Sequence, residues 1–235
     1  MIIAANFKAN HTMSTTLEYL NTLPTVAGAN LDSCKVYLFP PFTALQNSSD
    51  PRIVVGAQNG YPAEKGSYTG EICLEQLEDL GIDTILIGLS ERRHILIEQQ
   101  DFIARKYEFF KRSNFTIIYC VGEPIEVRQK GLESVLRYIE DQFENIDISY
   151  PKLIVAYEPV WAIGTGISAS IEDIEETHAA LKNFLPCPLL YGGSVNAANG
   201  EAILASSVVD GVLVGNFSLK TEDFAKLLAF ANKLN

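Results

Sequence analysis

Thr84-Ile85-Leu86-Ile87-Gly88 is apolar at consecutive positions and stops at a glycine, and Gly211-Val212-Leu213-Val214-Gly215-Asn216 repeats the form near the other end of the chain. A strand with one wet face alternates apolar and polar residues. An unbroken apolar run belongs to a strand covered on both faces, as in the parallel sheet of an α/β protein. Working outward, six more runs read as strands: Ile2–Asn6, Lys35–Phe39, Ile53–Ala57, Thr116–Cys120, Leu153–Tyr157 and Leu189–Tyr191. Helix-like stretches lie between them. Ser14–Leu23 follows a polar start, and Leu132–Asn145 has apolar residues at helical spacing. Ile171–Phe184 follows Ser170 and carries acids in its first turn, which suits the positive end of a helix dipole; Thr221–Lys233 comes last. Eight strand-then-helix units over residues 1–235, without a linker or low-complexity segment, predict a single-domain (β/α)₈ barrel of the α/β class. Periodicity leaves a doubly wound open sheet as the alternative.

Composition narrows the function classes. A chain of 235 residues, 47% hydrophobic, has enough apolar mass for a sizeable core. Eighteen basic against 29 acidic residues give a net charge of -11, which repels nucleic-acid phosphates and anionic membranes, so neither is expected as a partner. No apolar run approaches the ~20 residues needed to span a bilayer. Cys34, Cys73, Cys120 and Cys187 form no CxxC pair and no Cys/His cluster, so no metal site is expected, and their low number suits reduced thiols in a cytoplasm. Met1–Phe7 is apolar but short and lacks a basic leader, so it reads as a strand.

A parallel barrel carries its chemistry at the C-terminal strand ends. The polar residues there are Asn6 and Lys8, Gln58 and Asn59, Ser90 to Arg92, Glu123, Glu158, Ser194 and Asn216, with Leu89 standing among them. An ammonium at Lys8 would hold an anionic substrate and stabilise a developing enolate, although an exposed lysine after a first strand is the plain alternative. Glu158 ends an apolar strand at Pro159. Desolvation there would raise its pKa into the range of a general base at neutral pH. Val160–Gly166, with the only tryptophan, Trp161, and glycines at its far end, reads as an apolar flap able to exclude water. The turns Tyr191-Gly-Gly-Ser194 and Gly211–Asn216 follow strands seven and eight, where barrels frequently bind phosphate on backbone N–H groups.

Together these residues resemble the triosephosphate isomerase family. Asn6-Phe-Lys8, Gln58-Asn59, Gly66-Ser-Tyr-Thr-Gly-Glu71, Ser90-Glu-Arg-Arg93, Cys120-Val-Gly-Glu123, Tyr157–Gly166, Tyr191–Ser194 and Val212–Gly215 match it in order and spacing across essentially the whole chain. The resemblance implies a TIM barrel that interconverts dihydroxyacetone phosphate and glyceraldehyde 3-phosphate through an enediolate, in glycolysis and gluconeogenesis. Glu158 would be the base, and Lys8 with Asn6 would bind substrate. Gly164, Ser194, Gly215 and Asn216 would offer N–H groups to the phosphate, with Ser90 and Glu91 in support. Pro159, Val160, Trp161, Ala162, Ile163, Gly164, Thr165 and Gly166 would form the lid. Thr69 would reach into a second subunit of a homodimer, and no cofactor or metal is implied.

The chain departs from the family in several places. Phe7 replaces a more common Trp. Asn216 stands where a glycine is common, which is harmless if its φ is negative, and Ile167-Ser168-Ala169 varies the far hinge of the lid. The serious departure is Leu89. The family reads Gly-His-Ser-Glu-Arg-Arg and this chain reads Gly88-Leu-Ser-Glu-Arg-Arg93. Leucine has no donor or acceptor to replace the electrophilic imidazole. Of the three histidines, His11 and His178 are far from that exit in sequence. His94 stands where the family often has a histidine as well and is not expected to take over. Activity is therefore expected to be strongly reduced. The chain would then be a point variant of an enzyme, a natural weak enzyme, or a non-catalytic barrel that binds a phosphorylated ligand.

Overall fold

The computed structural model describes residues 1–163 and 169–234. Its eight strands are β1 (Ile2–Asn6), β2 (Lys35–Phe39), β3 (Ile53–Val55), β4 (Thr84–Ile87), β5 (Thr116–Val121), β6 (Leu153–Tyr157), β7 (Leu189–Tyr191) and β8 (Gly211–Val214). All are parallel, in the order β3-β2-β1-β8-β7-β6-β5-β4. The two ends of that order meet. Ala57 N–H donates to Thr84 O at 2.8 Å, and Leu86 N–H donates to Ala57 O at 2.9 Å, in a parallel bridge of Ala57 with Ile85. The sheet is thus a closed barrel in which chain neighbours are also spatial neighbours. That excludes the doubly wound alternative, which requires a point where the strand order reverses.

The continuous apolar runs now have two destinations. Ile2, Ala4, Phe39, Leu86, Ile118, Cys120, Ile154, Ala156, Leu190 and Leu213 point inward and fill the barrel, and Leu89 joins them. Their neighbours, such as Ile3, Val36, Ile85, Ile117, Val155 and Val212, lie in the larger apolar cluster between strands and helices. The helices are α1 (Met13–Ala27), α2 (Leu74–Asp79), α3 (Gln100–Arg112), α4 (Ile125–Arg128), α5 (Leu132–Asp141), α6 (Ile171–Lys182), α7 (Gly200–Ala205) and α8 (Thr221–Leu234). Thr12 and Ser170 cap α1 and α6 with reciprocal side-chain bonds, and Glu172 and Asp173 occupy the first turn of α6 as expected.

One unit corrects the sequence reading. Between β2 and β3 there is no α-helix, only a 3₁₀ turn at Phe42–Ala44 and an irregular return, so strand-then-helix holds for seven of the eight units. Asn47-Ser48-Ser49-Asp50-Pro51 explains this. These side chains compete for backbone groups, and Pro51 disfavours helix at the residue before it. The outer residues Val36 and Leu38 stay buried because Leu20 and Leu23 of α1, together with Leu45, belong to the same cluster.

Candidate active site

The C-terminal strand ends surround a cavity of about 560 Å³ bordered by Asn6, Lys8, Glu158, Ser194, Gly215 and Asn216. A larger hollow of about 680 Å³ lies at the opposite end, beside Lys35, Lys182 and Asp210. Its lysine at 182 is already paired with Asp210 at 2.9 Å, and it lies at the N-terminal ends of the strands, so it does not compete as the chemical site.

Glu158 is 5% exposed. Its N–H donates to Val121 O at 2.7 Å, and the N–H of Gly192 donates to Tyr157 O at 2.7 Å, so β5 and β7 grip the chain on either side. Both neighbours must be glycine. A Cβ on Gly122 would fall 1.7 Å from Glu158 O, and one on Gly192 would fall 2.9 Å from Glu158 Cγ. The Ser90 N–H donates to the carboxylate Oε2 at 2.9 Å. Burial pushes its pKa up to about 7, and the charge of Glu91 adds to this. The Ser90 N–H and the Lys8 ammonium act in the opposite direction. The side chain is therefore poised to accept or release a proton near neutral pH.

Lys8 adopts a left-handed backbone, φ 52°, at a cost of about 1–2 kcal/mol. Four bonds hold the turn. Lys8 N–H donates to Asn6 Oδ1 at 2.9 Å, Asn10 N–H donates to Phe7 O at 3.0 Å, and Gln58 Nε2 donates to both Lys8 O and Phe39 O at 2.8 Å. The turn sends the ammonium across the mouth, where it pairs with Glu91 and lies 3.9 Å from where a Gly215 Cβ would be.

The first residues of the expected lid are anchored by a buried acid. Glu123 Oε1 accepts from Tyr157 Oη and from Trp161 Nε1, each at 3.0 Å, while Glu123 O accepts from Val160 N–H at 3.1 Å. Burial raises the Glu123 pKa in spite of those donors. Pro159 leads into a 3₁₀ turn at Val160–Ala162, and Ile163 N–H closes it on Val160 O at 3.2 Å. Ser194 Oγ donates to Ala162 O at 2.6 Å and ties the turn after β7 to the lid. The expected lid and phosphate residues Gly164, Thr165 and Gly166, and the hinge residues Ile167 and Ser168, lie outside the described residues. Asn216 is not among the residues with positive φ, so its backbone has the conformation the substitution needs.

Leu89 is 5% exposed, belongs to the interior apolar cluster, and is not part of the cavity wall. No histidine borders the cavity among the described residues. His94 is exposed. His11 bonds Thr15 Oγ1 and Leu219 O, both at 3.1 Å. His178 is buried between the rings of Tyr157 and Tyr191.

A family model described as triosephosphate isomerase matches residues 1–231. The chain belongs to the triosephosphate isomerase family. Curated relatives bearing that name agree along its length. One from Wolinella succinogenes is 54% identical over 229 residues, 97% of this chain and 99% of the relative. One from Sulfurovum sp. is 53% identical over 228 residues, with the same coverage. One from Sulfurimonas denitrificans is 48% identical over 235 residues, 100% of this chain and 98% of the relative. The family is one of isomerases acting on a triose phosphate. No helix among the described residues is long and apolar enough to cross a membrane.

Three residues around the cavity mouth carry structural work that the sequence reading left without a role. Gln58 clamps two carbonyls, Glu123 anchors Val160 and Trp161, and Arg93 ties β4 to β5. The Arg93 guanidinium donates to Gly88 O at 2.8 Å, to Tyr119 Oη at 2.9 Å and to Gln100 Oε1 at 2.9 Å. Gln58 and Glu123 were visible as polar strand exits and Arg93 as part of a motif. Their partners are remote in sequence, which hid what each one does.

Proposed function

We propose that this chain is a triosephosphate isomerase in which Glu158 moves the proton between C1 and C2 of dihydroxyacetone phosphate and glyceraldehyde 3-phosphate, at a rate strongly reduced by Leu89. The carrying observation is Glu158 itself, a carboxylate with a pKa raised to about 7 on the wall of the same cavity as Lys8 and the turns after β7 and β8. Lys8 and Asn6 bind the substrate oxygens. Ser194, Gly215, Asn216 and, from the lid, Gly164 hold the phosphate through backbone N–H groups. Glu91 orients Lys8, and Ser90 parks Glu158 until substrate displaces it. Pro159 to Gly166 close over the ligand. The protein works in the cytoplasm, in glycolysis and gluconeogenesis, without cofactor or metal.

Leu89 supplies no hydrogen bond to the substrate carbonyl, and its packing in the barrel interior favours a second reading, a barrel that binds a phosphorylated ligand with little turnover. One experiment separates the two. Turnover of glyceraldehyde 3-phosphate is measured for this chain and for Leu89→His. A positioned acid–base group contributes about 10²–10⁴-fold, so kcat rises by that factor in the variant. Equal turnover by the two proteins refutes the assignment of position 89.

The homodimer belongs to the same proposal. The loop Gly66–Glu71, with Thr69 at its tip, is exposed throughout, and the ring of Tyr68 packs at a tilt on Tyr61 at 4.4 Å, which in turn meets Phe102 at 5.8 Å. Ile95, Leu96 and Ile97, a few residues before Phe102, are 72%, 61% and 60% exposed. Three consecutive aliphatic side chains left in water favour burial by a second copy.

A further inference from the structure

The mouth cavity holds more than a triose phosphate. About ten non-hydrogen atoms, at the ~30 Å³ that liquid water allots to each molecule, come to roughly 300 Å³. The cavity measures about 560 Å³. The surplus has a direction. On one side Asn6, Lys8 and Glu158 border the cavity, and Leu213 and Val214 of β8 line it between the two sides. On the other side the wall continues past Gly215 and Asn216, along Phe217 and Leu219, to Lys220 and Asp223 where α8 begins. A sugar chain grows from the phosphate toward Glu158, so this arm is reached only by a second substituent on the phosphorus.

The charges of the arm select that substituent. Lys8 is held by Glu91, and Asp223 is held by Lys226 at 2.7 Å. Lys220 is exposed and has no ion pair among the described residues. The cation beyond the phosphate turns is thus available to an anion. We propose that Lys220 and the turns after β7 and β8 form a binding site for phosphoanhydrides, with inorganic pyrophosphate the smallest member. One phosphoryl group occupies the Ser194 and Gly215 turns and the other lies against Lys220, so pyrophosphate competes with triose phosphate for the mouth. The site rests on the phosphate reading proposed above, extended by the arm.

The test is calorimetric titration of the full chain and of Lys220→Gln with inorganic phosphate and with pyrophosphate, at fixed low salt. Pyrophosphate binds the unaltered chain about three- to tenfold more tightly than phosphate, the span expected of an exposed charge-assisted contact. In Lys220→Gln that advantage falls to near unity while phosphate affinity holds, and glycerol 3-phosphate at saturation removes the pyrophosphate heat. A pyrophosphate advantage that is absent, or that survives Lys220→Gln, overturns the arm and leaves the phosphate site standing. Failure of both anions to bind at millimolar concentration overturns the arm and the phosphate reading together.

Discussion

His178 and Glu158 impose opposite pH dependences on stability, and their near cancellation can be unmasked one residue at a time. His178 is fully buried. Among the described residues Nδ1 has only Val208 O, at 3.3 Å, and Nε2 has no hydrogen-bond partner. Burial lowers its pKa from 6.5 to about 4. With the folded pKa below the unfolded one, the unfolded chain binds more protons, so stability present above about pH 6.5 is lost as pH falls toward 4. Glu158 has the reverse sign. Its folded pKa of about 7 lies above the ordinary 4.5 of the unfolded chain, so its contribution is complete below about pH 4.5 and is lost as pH rises toward 7. At 1.36 kcal/mol per pKa unit, moving from pH 7 to pH 5 costs about 2 kcal/mol through His178 and returns about 2 kcal/mol through Glu158. The assay is urea unfolding at both pH values and at one fixed protein concentration, for the unaltered chain, His178→Phe and Glu158→Gln. The unaltered chain changes little through this pair. Relative to it, His178→Phe gains about 2 kcal/mol on acidification and Glu158→Gln loses about 2 kcal/mol. If the stability difference between His178→Phe and the unaltered chain is the same at pH 7 and pH 5, His178 is not a neutral buried imidazole and the reasoning fails.

Two further outcomes test other parts of the structure. Lys8→Met leaves Glu91 unpaired and removes the cation that holds the Glu158 pKa down, so the carboxyl titrates above about 7 by NMR; a value unchanged or lower contradicts the electrostatics of the mouth. Ile97 is a β-branched residue at φ 55°, so Ile97→Gly relieves about 1 kcal/mol of strain while removing an apolar contact of the proposed subunit face. Sedimentation at micromolar concentration gives a dimer for the unaltered chain and a weaker dimer for Ile97→Gly, and a monomer for the unaltered chain refutes the subunit face.

The barrel was legible because its strands advertise themselves. All eight begin where the apolar runs begin; β3 and β4 end two and one residues short, since a run of side chains can stay apolar beyond the last ladder bond, and β5 runs one residue further because Val121 pairs with Tyr157. The helix missing after β2 was less legible. The barrel pattern favours a helix in every unit, and the local Asn, Ser and Pro chemistry overrides it.

Residue type and strand-end position are properties of the chain itself, and they sufficed to put Asn6, Lys8, Glu158, Ser194 and Gly215 at one mouth. What those groups can do was settled by contacts between distant segments. Glu91 reaches Lys8 across 83 residues, and Ser90 reaches Glu158 across 68. The proton affinity of Glu158 depends on how closely Gly122 and Gly192 let β5 and β7 approach it. The turn of Lys8 into a left-handed conformation depends on a glutamine 50 residues away. Leu89 packs inward because the chain leaves β4 at Ile87, and Gly88, at φ 82°, re-aims it; strand alternation from inward-facing Leu86 would have turned it outward. Desolvation and Coulomb energy depend on distance and burial, which arise only when the strands close into a ring, so the amino-acid order names the participants and the tertiary structure sets their energies.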